Sequence, residues 1–187
     1  VRSWGDDLFT RPHGLTLAED AERGQVIYCV DDIGHWVGKF SLEGELLMQI
    51  GTRDQGAPKR SGQPFNQPTK VALDPESGDL YISDGYGNAR VHKYTAAGEH
   101  LFSWGDYGLD PGEFNFPHSV CTDSAGRVYI ADRENHRVQI FDRAGQFLDK
   151  WDGLHRACGL YIKDDIVYVG QILTHLEVNM GNPNLGA

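Results

Sequence analysis

The chain carries an internal repeat, and this periodicity restricts the possible folds more than any other feature. Three segments superimpose: GQVIYCVDDIGHWVGKFSLEGELLMQIG, GDLYISDGYGNARVHKYTAAGEHLFSWG and GRVYIADRENHRVQIFDRAGQFLDKWD. Each contains a tyrosine followed three residues later by an aspartate, and the tyrosines are Tyr28, Tyr81 and Tyr129. They are 53 and 48 residues apart. A four-stranded propeller blade takes roughly 40–45 residues, so the surplus is expected in loops.

Each unit has the pattern of short β-strands. In the first unit Val26, Tyr28 and Val30 alternate with other residues at period two, and a second apolar run follows after polar turn residues. A glycine recurs after a short polar stretch (SLEG, TAAG, DRAG), as a hairpin turn requires. A proline introduces a further strand ahead of each hairpin. The sequence therefore predicts an all-β protein made of β-propeller blades, each with four antiparallel strands.

The repeats also set the expected limits of the blades. We place them at about 11–52, 64–105 and 115–152, with a partial blade at 155–187. Residues 1–5 match a closing strand, either of a preceding blade or of the last blade of a small closed ring. We favour an interior portion of a larger propeller, because a half-built blade would leave unpaired edges through which chains could self-associate. Nothing resembles a linker, so one domain is expected over 1–187.

Composition excludes some classes of function. The 27 acidic residues outnumber the 17 basic ones, giving a net charge of -10, and this argues against a nucleic-acid partner. No apolar run approaches the about 18 residues of a membrane-spanning helix, so no membrane insertion is expected. The three cysteines have no CxxC spacing, and Cys29 and Cys121 lie in predicted strands. We expect buried free thiols.

Two histidines occupy the same position in different units. His13 follows Pro12 and His118 follows Pro117, whereas the second and fourth units have Thr69 and Cys158 there. The entry strand of each blade lines the central channel, so equivalent positions form a ring around the axis. Imidazole is a common zinc ligand, and a catalytic zinc takes about three protein ligands. The spacing indicates two possible zinc ligands. The alternative is that each ring simply bonds a backbone carbonyl at the start of a strand.

The loops after the tyrosine strands hold other candidates. The recurrent aspartates (Asp31, Asp84 and Asp132) are expected to close turns. Tyr86 and Arg133 lie where the units differ. A tyrosine hydroxyl near a divalent cation can act as a base, and a guanidinium can bind a carboxylate. A loop tyrosine or arginine can equally be a solvated surface residue.

The repeats and the residues discussed above resemble those of a known family. The units resemble NHL repeats, and RPHGL, NQPTKVALDPESGDLYISDGYGNAR, FPHSV and YIADRENHRVQIF are similar to the peptidyl-α-hydroxyglycine α-amidating lyases, over roughly residues 11–142. The resemblance implies a six-bladed propeller, of which this chain is an incomplete portion, built around a zinc held by three Pro-His histidines. It also implies cleavage of a carbon–nitrogen bond in a peptide or small-molecule substrate, releasing an amide and glyoxylate. A secreted or periplasmic location would accompany that activity.

The resemblance assigns roles by position. By this resemblance, His13 and His118 correspond to zinc ligands and Tyr86 corresponds to the catalytic base. Arg133 corresponds to a residue that binds the substrate carboxylate and assists the tyrosine. The backbone carbonyl of Leu15 becomes a ligand of a structural calcium. Animal members of the family have cysteines at the positions of Asn66 and Gly87, where this chain has none.

The chain also departs from that pattern. A third Pro-His and a further arginine are absent, so the chain as given is expected to bind zinc weakly. An alternative function is a non-catalytic NHL scaffold that presents loops 51–67 and 105–116 to a protein or small ligand. A calcium-dependent lactone hydrolase of similar architecture is disfavoured, because the entry positions supply no acidic ligands.

Overall fold

The computed structural model describes residues 3–173. Strands make up nearly all of its regular structure, together with a 3-10 helix over Arg133–Asn135. The strands are β1 (Pro12–Asp20), β2 (Gly24–Asp31), β3 (Trp36–Ser41), β4 (Leu46–Ile50), β5 (Pro68–Leu73), β6 (Leu80–Asp84), β7 (Arg90–Tyr94), β8 (His100–Trp104), β9 (Pro117–Thr122), β10 (Val128–Asp132), β11 (Arg137–Phe141), β12 (Phe147–Trp151), β13 (Arg156–Lys163) and β14 (Ile166–Ile172). Among these residues no helix combines the length and apolarity needed to cross a membrane.

The strands form four antiparallel sheets in chain order. Blade 1 is β1-β2-β3-β4, blade 2 is β5-β6-β7-β8 and blade 3 is β9-β10-β11-β12, while blade 4 contains β13 and β14. The innermost strands of successive blades contact one another, β1 with β5, β5 with β9 and β9 with β13. The predicted all-β architecture of four-stranded antiparallel blades is thus confirmed. The rest of the predicted fourth blade lies outside the described residues, and self-association through blade edges stays a prediction.

The apolar core lies between the blades, because each middle strand buries both of its faces. Every residue of β6, β10 and β11 is buried. Three clusters fill the three spaces between blades, and they are centred on Tyr28 and Ile82, on Tyr81 and Ile130, and on Tyr129 and Leu160. The outer strands are far more exposed. Stacking of successive blades therefore fixes the inner strands relative to one another.

The predicted closing strand falls on residues 1–5, of which the structure describes 3–5, and these three residues form no strand. Trp4 nevertheless packs on Phe40 of blade 1, with ring centroids 5.1 Å apart. Trp104, at the end of blade 2, packs in the same way on Phe141 of blade 3 at 5.7 Å. Trp4 thus packs on blade 1 in the way that the tryptophan at the end of blade 2 packs on blade 3.

The recurrent aspartates anchor the start of each entry strand. Asp84 accepts hydrogen bonds from the backbone amide of Asn66 at 3.0 and 3.1 Å, and Asp132 accepts one from the amide of Asn115 at 2.7 Å. Asp31 likewise accepts one from the amide of Arg11 at 2.9 Å. All three carboxylates are buried. They join the loop before each blade to the blade's second strand, so the entry strands begin at equivalent places.

The cysteines are unpaired. Cys29 and Cys121 are buried, which confirms the prediction of buried free thiols for these two, whereas Cys158 is half-buried. Burial raises the pKa of the Cys29 thiol to about 11 and that of Cys121 to about 12. Both are therefore protonated and unreactive at neutral pH.

Candidate metal and catalytic site

An irregularity recurs near the start of every entry strand. The pairing register shifts between Pro12 and Leu15 in blade 1, between Pro68 and Lys70 in blade 2, and between Ala157 and Gly159 in blade 4. In blade 3 the shift falls between Ala131 and Asp132, opposite the residue after Pro117. A bulge of this kind turns a side chain away from the regular alternation. The residues at the four bulges are His13, Thr69, His118 and Cys158.

The structure brings His13 and His118 together. Their ring centroids are 5.0 Å apart, and both rings line a cavity of about 280 Å³ on the channel axis. Nδ1 of His13 lies 2.9 Å from the carbonyl oxygen of Thr69, and Nδ1 of His118 lies 2.8 Å from that of Cys158. In each ring Nδ1 donates to a carbonyl of the next blade, so Nε2 carries a lone pair. The alternative of a simple backbone bond accounts for Nδ1 of each ring, whereas Nε2 of both rings faces the hydroxyl of Tyr86.

Tyr86 joins the two histidines. Its hydroxyl lies 2.8 Å from Nε2 of His118 and 3.2 Å from Nε2 of His13. The hydroxyl has one proton and donates it to one imidazole, so its oxygen and the other Nε2 face each other as two lone pairs. A cation at this point would relieve that conflict. The donor set thus fits a metal ion such as zinc, which takes neutral imidazole ligands whose other nitrogen is held by a hydrogen bond.

Arg133 lies at the same place. Its guanidinium carbon is 5.4 Å from the centre of the Tyr86 ring, and its Nε donates to Glu134 at 2.7 Å. Glu134 is almost fully buried and also accepts from Arg156, at 3.0 Å to each of its oxygens. Burial favours the neutral acid, but the hydrogen bond from Arg156 and the two guanidinium charges lower the pKa of Glu134. The Arg133–Glu134–Arg156 cluster therefore keeps one net positive charge beside the tyrosine.

Arg11 is a residue that the sequence reasoning missed. Its guanidinium carbon is 5.8 Å from the centre of the Tyr86 ring, and its Nε donates to Asp32 at 2.8 Å. The side chain of Arg11 is 54% exposed whereas that of Asp32 is fully buried, so the ion pair joins a solvent-accessible guanidinium to a buried carboxylate. Arg11 could have been found from its position directly before Pro12-His13, because a residue there lies beside the entry strand that carries His13.

The surroundings keep His118 neutral. Burial lowers the pKa of its imidazole to about 4, and the positive charge of Arg133 acts in the same direction, while the hydrogen bond to the Cys158 carbonyl opposes it. A neutral imidazole at physiological pH is the form that binds metal. Within residues 3–173 no third histidine, cysteine, aspartate or glutamate lies close enough to complete a three-ligand cluster. The zinc assignment of His13 and His118 stays a prediction.

The calcium role of Leu15 fits this structure poorly. Calcium takes six to eight oxygen ligands, several of them carboxylates. Leu15 lines the cavity of the two imidazoles, but no aspartate or glutamate of the described chain does, and Lys70 is among the lining residues.

Asn66 and Gly87 lie in contact. The amide of Gly87 donates to the carbonyl of Asn66 at 3.0 Å, and a Cβ on Gly87 would lie 1.8 Å from Oδ1 of Asn66. Two side chains at these positions would meet directly. The positions at which the resemblance implies a cysteine pair are therefore neighbours in space.

Comparison with known proteins identifies the repeats. Residues 65–94 and 114–141, which cover most of blades 2 and 3, match the NHL repeat family. Each match runs from the end of the preceding loop to the third strand of the blade, so it includes the bulge and the loop after the tyrosine strand.

Relatives of two kinds are similar to the chain. Human NHL repeat-containing protein 3 is 34% identical over 159 residues, which is 81% of this chain and 45% of that protein. Peptidyl-glycine alpha-amidating monooxygenase B of Xenopus laevis is 36% identical over 156 residues, 79% of this chain and 17% of that protein. Peptidyl-alpha-hydroxyglycine alpha-amidating lyase 1 of Drosophila melanogaster is 35% identical over 150 residues, 74% of this chain and 26% of that protein. The chain thus spans less than half the length of each.

Solved structures agree on the fold. Hydrazine synthase of Kuenenia stuttgartiensis superimposes with a TM-score of 0.66 at 12% identity, covering 89% of this chain and 44% of that one. Streptogramin B lyase superimposes with a TM-score of 0.63 at 12% identity, covering 87% of this chain and 49% of that one. At such low identity these likenesses concern architecture alone. The chain therefore contains NHL repeats within a β-propeller fold, and its homologues include the peptide-amidating monooxygenases, the amidating lyases and NHL repeat-containing protein 3.

Proposed function

We propose that the chain belongs to a zinc-dependent lyase that cleaves the carbon–nitrogen bond of a peptidyl-α-hydroxyglycine-type substrate, giving an amide and glyoxylate. The observation that carries this proposal is the approach of two histidine Nε2 atoms to one tyrosine hydroxyl, at 2.8 and 3.2 Å. The amidating lyases among its relatives support the same reaction.

His13 and His118 would hold the metal through Nε2, since their Nδ1 atoms are engaged with carbonyls of the following blades. Zinc at this position supplies a Lewis acid that lowers the pKa of a hydroxyl bound to it. The Thr69 and Cys158 carbonyls fix both tautomers before any ligand arrives. The positions of the two ligands are therefore set by the blade stacking rather than by the metal.

Tyr86 is the base. In its phenolate form it takes the proton of the substrate α-hydroxyl, whose oxygen becomes the aldehyde oxygen of glyoxylate as the carbon–nitrogen bond breaks. The bonding electron pair goes to the amide nitrogen, which takes the proton back from Tyr86 and leaves as the amide. The neighbouring guanidiniums of Arg133 and Arg11, 5.4 and 5.8 Å from the tyrosine ring, stabilise the negative phenolate.

Arg133 binds the carboxylate of the substrate. Its Nε is engaged with Glu134 at 2.7 Å, and its terminal nitrogens remain to receive a carboxylate. The pairing with Glu134 also holds the guanidinium in place beside Tyr86. The α-carbon of the substrate would then lie between Arg133 and the two imidazoles, within reach of the hydroxyl of Tyr86.

The test is release of glyoxylate from N-benzoyl-α-hydroxyglycine by the zinc-supplemented full-length protein, because residues 3–173 hold only two of the three expected ligands, and metal content is measured alongside. Wild-type protein is expected to bind zinc and release glyoxylate above the uncatalysed rate, and the paired variants His13→Ala and His118→Ala to lose both. His155→Ala is the matched control, because His155 is exposed on the loop before β13 and outside the cavity. Equal zinc content in wild type and both cavity variants would refute the proposed site.

A non-catalytic scaffold is the second candidate. NHL repeat-containing protein 3 matches 81% of the chain at 34% identity, as closely as the amidating enzymes do, and residues 3–173 hold only two ligands of the expected three. Loops 51–67 and 105–116 would then contact a protein or small ligand, joined by Arg60, whose guanidinium lies 4.3 Å from the centre of the Tyr107 ring. This function predicts that the two histidine variants keep all partner binding while Arg60→Ala weakens it.

A further inference from the structure

Lys70 reaches across the axial channel. It lies on β5 of blade 2, next to Thr69, and its Nζ donates to the backbone carbonyl of Leu160 on β13 at 2.6 Å. β13 belongs to blade 4, so the side chain passes β9 of the blade between them. Lys70 lines the cavity of the two imidazoles on one side and a larger cavity of about 430 Å³ on the other.

The carbonyl that receives this bond belongs to a set of equivalent groups. Leu160 follows the bulge of blade 4 as Leu15 follows the bulge of blade 1. The corresponding residue of blade 2 is Val71, whose carbonyl accepts from the hydroxyl of Thr16 at 2.6 Å. Two of these equivalent carbonyls, those of Leu160 and Val71, therefore already accept hydrogen bonds from side chains of the chain itself.

The charges around Lys70 also disfavour a bound divalent cation. Among residues 3–173 no carboxylate lines the cavity that Leu15 and Lys70 share. The larger cavity includes two carboxylates, those of Glu19, which is exposed, and Asp74, which accepts from Nε of Arg143 at 2.9 Å. Burial lowers the pKa of Lys70, as expected for an ammonium without a counter-ion. A divalent cation placed here would meet a positive charge and too few oxygen ligands.

We propose that the ammonium of Lys70 is the resident cation of the axial channel. It joins blades 2 and 4 through the Leu160 carbonyl, and it takes the place in which a calcium ion at Leu15 would otherwise be expected. On this proposal the inner strands of residues 3–173 are stabilised at this point by Lys70 and need no calcium ion there.

The experiment is a thermal unfolding series on metal-depleted protein with added calcium chloride, with magnesium chloride as the control for ionic strength. Wild type is expected to keep its Tm within error and to bind no calcium stoichiometrically in equilibrium dialysis. Lys70→Met is expected to lower Tm by about 3 to 10 °C, the effect of losing one charged hydrogen bond. Lys150→Met is the matched control, because Lys150 is exposed on β12, and its Tm should be unchanged.

Two further variants separate the role of the charge from that of folding. Lys70→Arg keeps the charge and the donor and is expected to retain most of the wild-type Tm. Lys70→Asp is expected to lower Tm without metal and to recover it when calcium is added. The proposal is overturned if wild type binds one calcium per chain with a rise in Tm, or if Lys70→Met unfolds at the wild-type temperature.

Discussion

The hydroxyl of Tyr86 lies 2.8 Å from Nε2 of His118, although the loop that carries the tyrosine and the strand that carries the histidine belong to different blades. The contact has a chemical consequence, because the same hydroxyl is 3.2 Å from Nε2 of His13. The hydroxyl oxygen of Tyr86 and the two Nε2 atoms therefore share one proton at this point. Each of the three atoms is held there by a different blade. The tyrosine thus stands where both a cation and a departing substrate proton would be received.

Replacing Tyr86 with phenylalanine separates metal binding from proton transfer. Tyr86→Phe removes the hydroxyl and leaves both imidazoles, so zinc content is expected to stay at the wild-type level or rise. Glyoxylate release should fall by about 10²- to 10⁴-fold, the usual contribution of a positioned base. Tyr107→Phe is the control, because its hydroxyl donates to Asn115 in the loop before β9. An undiminished rate in Tyr86→Phe would remove the tyrosine from the mechanism.

The stability of metal-free protein should depend on pH through His118. Its pKa in the folded state is lowered to about 4 from an ordinary 6.5, because burial disfavours the charged ring. Between these values the unfolded chain binds the proton and the folded chain does not, so stability is complete above pH 6.5 and is lost as the pH falls to 4. The loss is about 3 kcal/mol.

The measurement for His118 is urea unfolding of wild type and His118→Gln at pH 7, 5.5 and 4.5. Glutamine does not titrate, so the difference in unfolding free energy between the two proteins should shrink as the pH falls. Parallel curves for the two proteins would show that His118 is not held neutral in the folded state.

His92 and Gln139 should be interchangeable as partners of a buried aspartate. Nε2 of His92 donates to Asp84 at 3.1 Å, and at the equivalent position of blade 3 Nε2 of Gln139 donates to Asp132 at 3.1 Å. His92→Gln is therefore expected to cost less than about 1 kcal/mol of unfolding free energy. His92→Ala leaves a cavity and an underpaired carboxylate, and should cost about 3 kcal/mol. Equal losses in urea unfolding of the two variants would contradict this equivalence.

A disulfide should form between positions 66 and 87 when both are cysteine. Gly87 lies against Asn66, and shortening Asn66 removes the side-chain contact at 1.8 Å, while the Asn66 carbonyl, 2.8 Å from a Cβ at position 87, has to shift by a few tenths of an ångström. The double variant Asn66→Cys with Gly87→Cys closes a loop of about 22 residues, for which a gain of about 3 kcal/mol is expected under oxidising conditions. Thiol titration in denaturant should find only the three natural cysteines free. Titration of the two added thiols as well would show that the positions do not meet.

Much of the fold could be predicted from the sequence because its units repeat. The tyrosine and glycine positions located the strands, and equivalence between units placed His13 and His118 on inner strands, where the structure brings them within 5.0 Å between ring centroids. Periodicity was informative here because a propeller converts equal sequence positions into equal distances from one axis. Tyr86 was found through its departure from the repeat.

The remaining features depend on contacts between blades that no periodic pattern contains. Lys70 bonds a carbonyl 90 residues away, and a strand pattern does not show how far a long side chain reaches. Arg11 precedes its strand, and its guanidinium lies beside Tyr86 while its Nε donates to Asp32, a contact that the sequence pattern does not contain. The calcium role of Leu15 came from resemblance alone and stays a prediction, and the sequence pattern did not show that Lys70 lines the same cavity.

The carbonyls that orient the two histidines come from the blades that follow them, Thr69 for His13 and Cys158 for His118. An isolated blade would keep its histidine, but the imidazole could rotate and change tautomer freely. In the proposed zinc site, metal uptake would therefore depend on docking of the neighbouring blades, because their carbonyls hold both imidazoles in the tautomer that binds metal. Metal content would then serve as a measure of how completely the blades have stacked.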